Sequence, residues 1–167
     1  MADPHIQSPM DFLDYLTVCL YRTGFILAAI FTALLPYYEF AQIGILAAAL
    51  LCASSLHIYL KKFRLLLQFA TWLALFFQII GQTELALGAA LVTLGGLCFK
   101  EYFCFRIFAL NLMPIFVALL WLTKVAEIII GLQILSVICT ALFAVLAIQK
   151  WRMPLHFDIG DKGKYQI

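Results

Sequence analysis

Charge is what this chain has least of. Asp, Glu, Lys and Arg make up 12% of its 167 residues, against 65% that are hydrophobic. A soluble domain of this length has no interior large enough for so much apolar surface, which excludes an ordinary globular fold in water. No basic cluster exceeds three residues, so nucleic acid is not an expected partner. Histidine is also scarce. Of the three, His5 and His156 lie in the terminal segments and only His57 borders an apolar run. A bis-histidine haem needs two axial ligands facing each other, which argues against a membrane cytochrome. No charged residue or histidine falls in the middle of an apolar run, where transporters and proton pumps place their acids and bases. The five cysteines, Cys19, Cys52, Cys98, Cys104 and Cys139, imply no disulfide framework and match no common metal-site spacing. A basic n-region is missing too, since Met1–Met10 is polar and Asp11 and Asp14 follow. No secretory signal is expected there.

Long apolar runs are what the chain does have. They lie at about Thr23–Leu35, Phe40–Leu60, Leu65–Ile80, Leu85–Phe99, Ile107–Leu122 and Ala126–Ile148. Ten of the eleven Lys and Arg residues fall before the first run, in alternate gaps, or after the last, and the remaining gaps hold only Lys124. Basic segments stay on the cytoplasmic side, so six spans with both termini cytoplasmic are expected. The loops assigned to the opposite side, Pro36–Glu39, Gly81–Glu84 and Thr123–Val125, are short enough to make three antiparallel hairpins. The expected fold is an all-α polytopic membrane helix bundle, one integral membrane domain over 1–167, with a cytoplasmic tail at 150–167. Residues 9–21 read as an amphipathic interfacial helix. Ser8 caps it, Pro9 occupies its first turn, and Phe12, Leu13, Leu16 and Leu20 recur on one face. The alternative is one long tilted helix running into the first span.

Helix contacts are legible where side chains are small. Ala41, Gly44, Ala48, Cys52 and Ser55 form one stripe, and Gly88, Ala89, Gly95 and Gly96 form another. Such faces let helices approach closely in lipid, so the second and fourth spans are expected at the centre, with Leu46 and Leu50 facing lipid. Pro114 removes a backbone donor inside the fifth span and predicts a kink.

The basic side concentrates the remaining chemistry. Phe99-Lys100-Glu101-Tyr102-Phe103-Cys104-Phe105-Arg106 is the densest mixed cluster. Lys100 and Glu101 are adjacent on a helix and are not expected to face one another, but either can reach a charge on another segment. Pro154 should end the last helix. After it, Leu155, Phe157 and Ile159 alternate with His156 and Asp158, as in an extended segment with one buried face. Asp158-Ile159-Gly160-Asp161 invites a turn. The expected arrangement is a latch of opposite charges that joins the second, fourth and sixth spans and packs the tail on the bundle. It would shape a partner-binding surface from Lys100, Glu101, Arg106, Trp151, Arg152, His156, Phe157, Asp158 and Asp161. His57 is a candidate magnesium ligand for chlorophyll, a partner for Glu101, or a packed structural histidine. A catalytic alternative takes Glu101 as base and Cys104 as nucleophile, with His57 as the positioning base.

His57-Ile58-Tyr59, Phe99-Lys100-Glu101-Tyr102-Phe103-Cys104-Phe105, and Lys150-Trp151-Arg152-Met153-Pro154 with Asp158-Ile159-Gly160-Asp161-Lys162 resemble the recurring segments of a family of integral membrane proteins of unknown function found in cyanobacteria and plastids. The likeness extends over nearly the whole chain. It implies a photosynthetic membrane and brings no catalytic residues. On that basis the expected function is a non-catalytic accessory protein of the thylakoid membrane, serving photosystem II assembly. Its partners would be the lipid bilayer and photosystem subunits, with chlorophyll or carotenoid as candidate cofactors and no metal site. A small transporter or channel, or a membrane enzyme built on His57, Glu101 and Cys104, are the alternatives.

Overall fold

The computed structural model describes residues 9–54, 56 and 58–164, and every regular element among them is helical. Eight α-helices follow in order: α1 (Phe12–Leu34), α2 (Ala41–Ala53), α3 (Lys61–Ile79), α4 (Thr83–Phe105), α5 (Phe108–Asn111), α6 (Met113–Val125), α7 (Ile129–Arg152) and α8 (His156–Ile159). A single 3-10 turn, Lys162–Lys164, closes the described chain. Three of these helices, α1, α4 and α7, are long and apolar enough to cross a membrane.

The separate helix expected over residues 9–21 is not found: residues 9–11 are not helical, and α1 continues without a break from Phe12 to Leu34, as in the alternative of one long helix. Its start lies at Asp11, whose backbone N–H donates to Asp14 Oδ2 at 2.8 Å, and Tyr15 N–H donates to Asp11 O. That reciprocal bond satisfies a donor that a helix end would otherwise leave free. The cap expected at Ser8 lies outside the described residues. Phe12, Leu13 and Leu16 remain exposed, as an apolar face turned to lipid requires.

The small-residue stripes act as expected. Ala41, Gly44, Ala48 and Cys52 are all buried. A Cβ added to Gly44 would collide with the Phe31 ring, and one added to Gly24 would collide with Cys52 Sγ. The α1–α2 contact therefore rests on two glycines, one from each helix. Ser55, the last member of the stripe, lies outside the described residues. On α4, added Cβ atoms would come within 2.8 Å of Trp121 at Gly88, 2.7 Å of Val117 at Gly95 and 2.6 Å of Leu67 at Gly96. Helix α4 accordingly packs against α2, α3, α6 and α7. Thr71 and Thr93 join α3 to α4 through their hydroxyls at 3.0 Å. One expectation fails here: Leu46 is buried, because α2 is enclosed on several sides and has no wide lipid face.

Proline placed the breaks correctly. The fifth apolar run divides at Leu112 into α5 and α6, with Pro114 in the first turn of α6, where its missing N–H costs nothing. Helix α7 ends at Arg152, and Met153 before Pro154 turns extended, with ψ 141°. The segment beyond is not the alternating strand expected. It forms the one-turn α8, in which Phe157 and Asp158 donate to the carbonyls of Pro154 and Leu155. Gly160 follows at φ 64°, the positive value that glycine accepts without strain.

Side-chain contacts show which loops share an end. Lys124 in the last turn of α6 pairs with Glu39 at 2.8 Å, and Gln42 at the start of α2 donates to Glu39 at 2.8 Å and to Glu84 of α4 at 3.5 Å. The α1–α2, α3–α4 and α6–α7 connections therefore meet at one end. The start of α1, the α2–α3 loop, the end of α4 and the tail meet at the other.

Candidate functional site

At the tail end the structure joins five charges in one network, four of them buried and the fifth, Lys100, partly exposed. Arg22, on α1, is 1% exposed. Its Nε donates to Asp158 Oδ2 at 2.7 Å, and its two terminal nitrogens reach the carbonyl oxygens of Met153 at 2.7 Å and Pro154 at 3.0 Å. The planar guanidinium thus clamps both the backbone where α7 ends and the carboxylate one turn further on. Asp158 also pairs with Lys150 of α7. Lys150 in turn meets Glu101 Oε2 of α4 at 2.7 Å. Glu101 is fully buried and accepts from Tyr21 OH at 2.6 Å and from Lys100 Nζ at 3.0 Å. Lys100 and Lys150 each stand 5.2 Å from the centre of the Tyr21 ring, within range for a cation over an aromatic face. Three helices and the tail are joined by side chains that water hardly reaches. A buried charge left alone is costly, so these groups hold one another in place.

A latch is present, but it joins α1, rather than the second span, to α4, α7 and the tail, and its members differ from those expected. Glu101 and Asp158 belong to it as read from the sequence. Lys100 and Glu101 do face each other, contrary to expectation, because the lysine stem is long enough to bring its ammonium back to the neighbouring carboxylate. Arg22, Tyr21 and Lys150 were missed as members. Arg22 and Lys150 border apolar runs and look in sequence like ordinary interfacial cations. The signal that could have found Arg22 is its solitude: it is the sole cation before the first run, followed by Thr23 and Gly24.

Other members of the expected surface are dispersed. Arg106 is exposed and takes the left-handed conformation that caps α4, with φ 55°. Trp151 and Arg152 point outward at the end of α7. His156 stacks on Phe157 with ring centres 4.7 Å apart. Asp161 donates its backbone N–H to Tyr59 OH at 2.8 Å and accepts from Gly163 N–H at 2.9 Å. Lys162 reaches back to Asp14 Oδ2 at 2.5 Å and to Pro9 O at 3.0 Å. The hydrogen bond to Asp14 raises the Lys162 ammonium above the ordinary lysine value. At the opposite end, the hydrogen bond from Lys124 holds the Glu39 carboxyl below its ordinary value, against a smaller opposing effect of burial. His57, the candidate pigment ligand and the proposed catalytic base, lies outside the described residues. Of its supposed partners, Glu101 is buried within the ion network while Cys104 is exposed.

Two cavities adjoin these elements. One, of about 640 Å³, is an apolar groove between α3 and α6 over the glycine face of α4. The other, of about 470 Å³, lies at the tail end. Its polar lining includes Lys100, Lys150 and Asp158, and its apolar walls include Leu60, Phe103 and Phe157, with Cys104 beside them. Tail residues thus build one side of this space and α4 builds another.

No solved structure matches the chain. A protein of Haemophilus influenzae described as an uncharacterized protein is 66% identical over 168 residues, covering the whole of both chains. Haemophilus is not photosynthetic, and a likeness of this extent overturns the thylakoid location, the photosystem II assembly role and the photosystem partners. The chlorophyll and carotenoid expectation loses that setting, and His57, its candidate ligand, lies outside the described residues. Residues 73–167 match the family described as uncharacterized integral membrane protein (DUF2301), and the chain belongs to that family of integral membrane proteins.

Proposed function

We propose that this protein is a non-catalytic binding protein of a bacterial cytoplasmic membrane, with its working site in the tail-end cavity. The observation that carries this reading is the construction of the site. A cavity of about 470 Å³ is walled by the C-terminal segment and rests on a network of five charges, four of them buried. Ionisable groups withdrawn from water at a membrane helix end are expensive, and function is the usual reason to keep them. Glu101 already has three partners, so its carboxylate serves as a fixed support and not as a base awaiting a proton.

The proposed topology has six spans with both termini cytoplasmic, supported by the bias of basic residues and by the grouping of the loops at two ends. Helix α2, at 13 residues, is about 20 Å long, short of a hydrocarbon core of about 30 Å. Protein surrounds much of it, which is where irregular backbone at membrane depth is tolerated. The cavity then opens at the level of the inner leaflet.

Native mass spectrometry of the protein released from mild detergent tests the reading. A bound non-protein molecule or lipid should persist on the full chain. It should be lost from a variant lacking Pro154–Ile167 that keeps its helical content and stays monodisperse. Identical adducts on both proteins would remove the tail-end cavity as the binding site.

A further inference from the structure

Resting on the binding role proposed above, we propose that the tail-end cavity takes an anionic phospholipid of the inner leaflet, its headgroup phosphate on Lys100 and its first acyl carbons against Phe103 and Phe157. The argument begins with charge. Arg22, Lys100 and Lys150 meet only Glu101 and Asp158 in the described network, three cations against two carboxylates. The surplus positive charge falls on Lys100, because Arg22 and Lys150 are sealed at 1% and 2% side-chain exposure while Lys100 keeps 21%. An ammonium has three donors, and the described hydrogen bond to Glu101 uses one of them. Lys100 therefore offers a fixed charge with free donors to whatever enters.

Shape and position narrow the class. The walls are mainly apolar side chains and the charged groups lie together on one side. That arrangement fits an amphiphile better than a free ion. The cavity lies where α4 and α7 end, and it shares that end with Lys61, Lys62, Arg64, Arg106 and Arg152. Basic residues at the inner face attract anionic lipid over zwitterionic lipid. A phosphate diester therefore meets a general positive field first and one partly buried lysine second.

Cys104 provides the readout, since it borders the cavity and is exposed, whereas Cys52, Cys98 and Cys139 are buried. In full-length protein carrying Cys19→Ser, the rate of maleimide labelling is followed in nonionic detergent. Dioleoylphosphatidylglycerol, dioleoylphosphatidylcholine or inorganic phosphate is added in parallel. At ten times its Kd a ligand leaves about one site in eleven free, so phosphatidylglycerol should slow labelling roughly tenfold. Phosphatidylcholine and inorganic phosphate should have little effect. Lys100→Gln should abolish the protection and Lys100→Arg should retain it. Lys124→Gln, the same charge change at the opposite end, should also retain it. Leu60→Glu puts a carboxylate on the cavity rim without touching the buried network, and should abolish protection in a protein that folds normally. Equal protection by phosphatidylcholine would overturn the anionic class while leaving a lipid cavity standing. Equal protection by inorganic phosphate would make it a free-anion site. Full protection in the Leu60→Glu variant would place the lipid elsewhere. Adducts that persist on the full chain and depend on the tail in the mass-spectrometry experiment, with no lipid protecting Cys104, would refute this proposal and leave the binding role intact.

Discussion

Glu101→Gln is the most informative single substitution, because it changes charge without changing shape. In the wild type, Glu101 accepts from Tyr21 at 2.6 Å and meets Lys150 at 2.7 Å and Lys100 at 3.0 Å, with no exposure to solvent. Glutamine keeps an acceptor for Tyr21 but removes the negative charge. The network would then hold three cations against Asp158 alone, and the excess would rise from one charge to two. Breaking a buried pair by removing one partner costs about 3–5 kcal/mol. For a chain of 150–250 residues each kcal/mol lowers Tm by roughly 2–4 °C, so a fall of about 6–20 °C is expected. Lys150→Met should cost less, because Arg22 and Lys100 would then balance Glu101 and Asp158. The double variant Glu101→Gln/Lys150→Met restores the wild-type excess of one and should be more stable than Glu101→Gln alone. Thermal unfolding in detergent, followed by cysteine exposure or by loss of the monodisperse peak, reads all four proteins. A Glu101→Gln protein within about 2 °C of wild type would refute the reasoning, since that corresponds to at most about 1 kcal/mol. So would a double variant no better than the single.

The other predictions test separate parts of the account. Gly44→Leu should reduce accumulation and Tm sharply by driving a side chain into Phe31, whereas Ile43→Leu, on the 57% exposed neighbour, should change little; equal effects would disprove the α1–α2 contact face. The Glu39–Lys124 pair contributes only about 0–1 kcal/mol, since Glu39 is exposed. Because the Glu39 pKa is lowered on folding, that contribution is complete above the ordinary glutamate value and disappears as pH falls through the lowered one. Lys124→Gln should therefore match wild-type stability at acid pH and fall slightly behind at neutral pH. For topology, a cysteine placed at Tyr37 should react with impermeant maleimide only from outside and one at Lys162 only from inside. Labelling of both from the same side would contradict the proposed orientation.

Much of the fold was legible because it follows from rules that act along the chain. Apolar runs give helices, small residues at helical spacing give the Gly44 and Gly95 contacts, and Pro114 and Pro154 mark the ends of segments. The site was less legible because its members meet only after packing. Arg22 and Asp158 are 136 residues apart, and the solitude of Arg22 before the first run does not say which distant carboxylate it meets. The Lys100–Glu101 pair escaped because helical geometry describes where Cβ atoms point, and a four-carbon stem can fold back to the next residue. The tail was misread because so short an alternation, three apolar residues at Leu155, Phe157 and Ile159, does not separate a strand from a single helical turn. What decided was Asp158, drawn inward by Arg22 and Lys150, which a pattern of hydrophobicity does not register. The segment joining residues 12–21 to the first span shows a similar limit. Amphipathicity described its surface correctly but carried no signal for a break.

The central claim is that buried charges lock the C-terminal segment onto the bundle, and hydrogen exchange tests it most directly. The backbone N–H groups of Phe157, Asp158, Gly160 and Asp161 all donate hydrogen bonds in the docked tail. Peptides covering residues 154–163 should therefore exchange slowly in the wild-type protein in detergent or nanodiscs. Asp158→Asn and Arg22→Gln should each speed exchange in that segment by at least about tenfold, the factor that corresponds to 1.4 kcal/mol, while α4 stays protected. Complete exchange of the wild-type tail within seconds, or undiminished protection in both variants, would contradict the account.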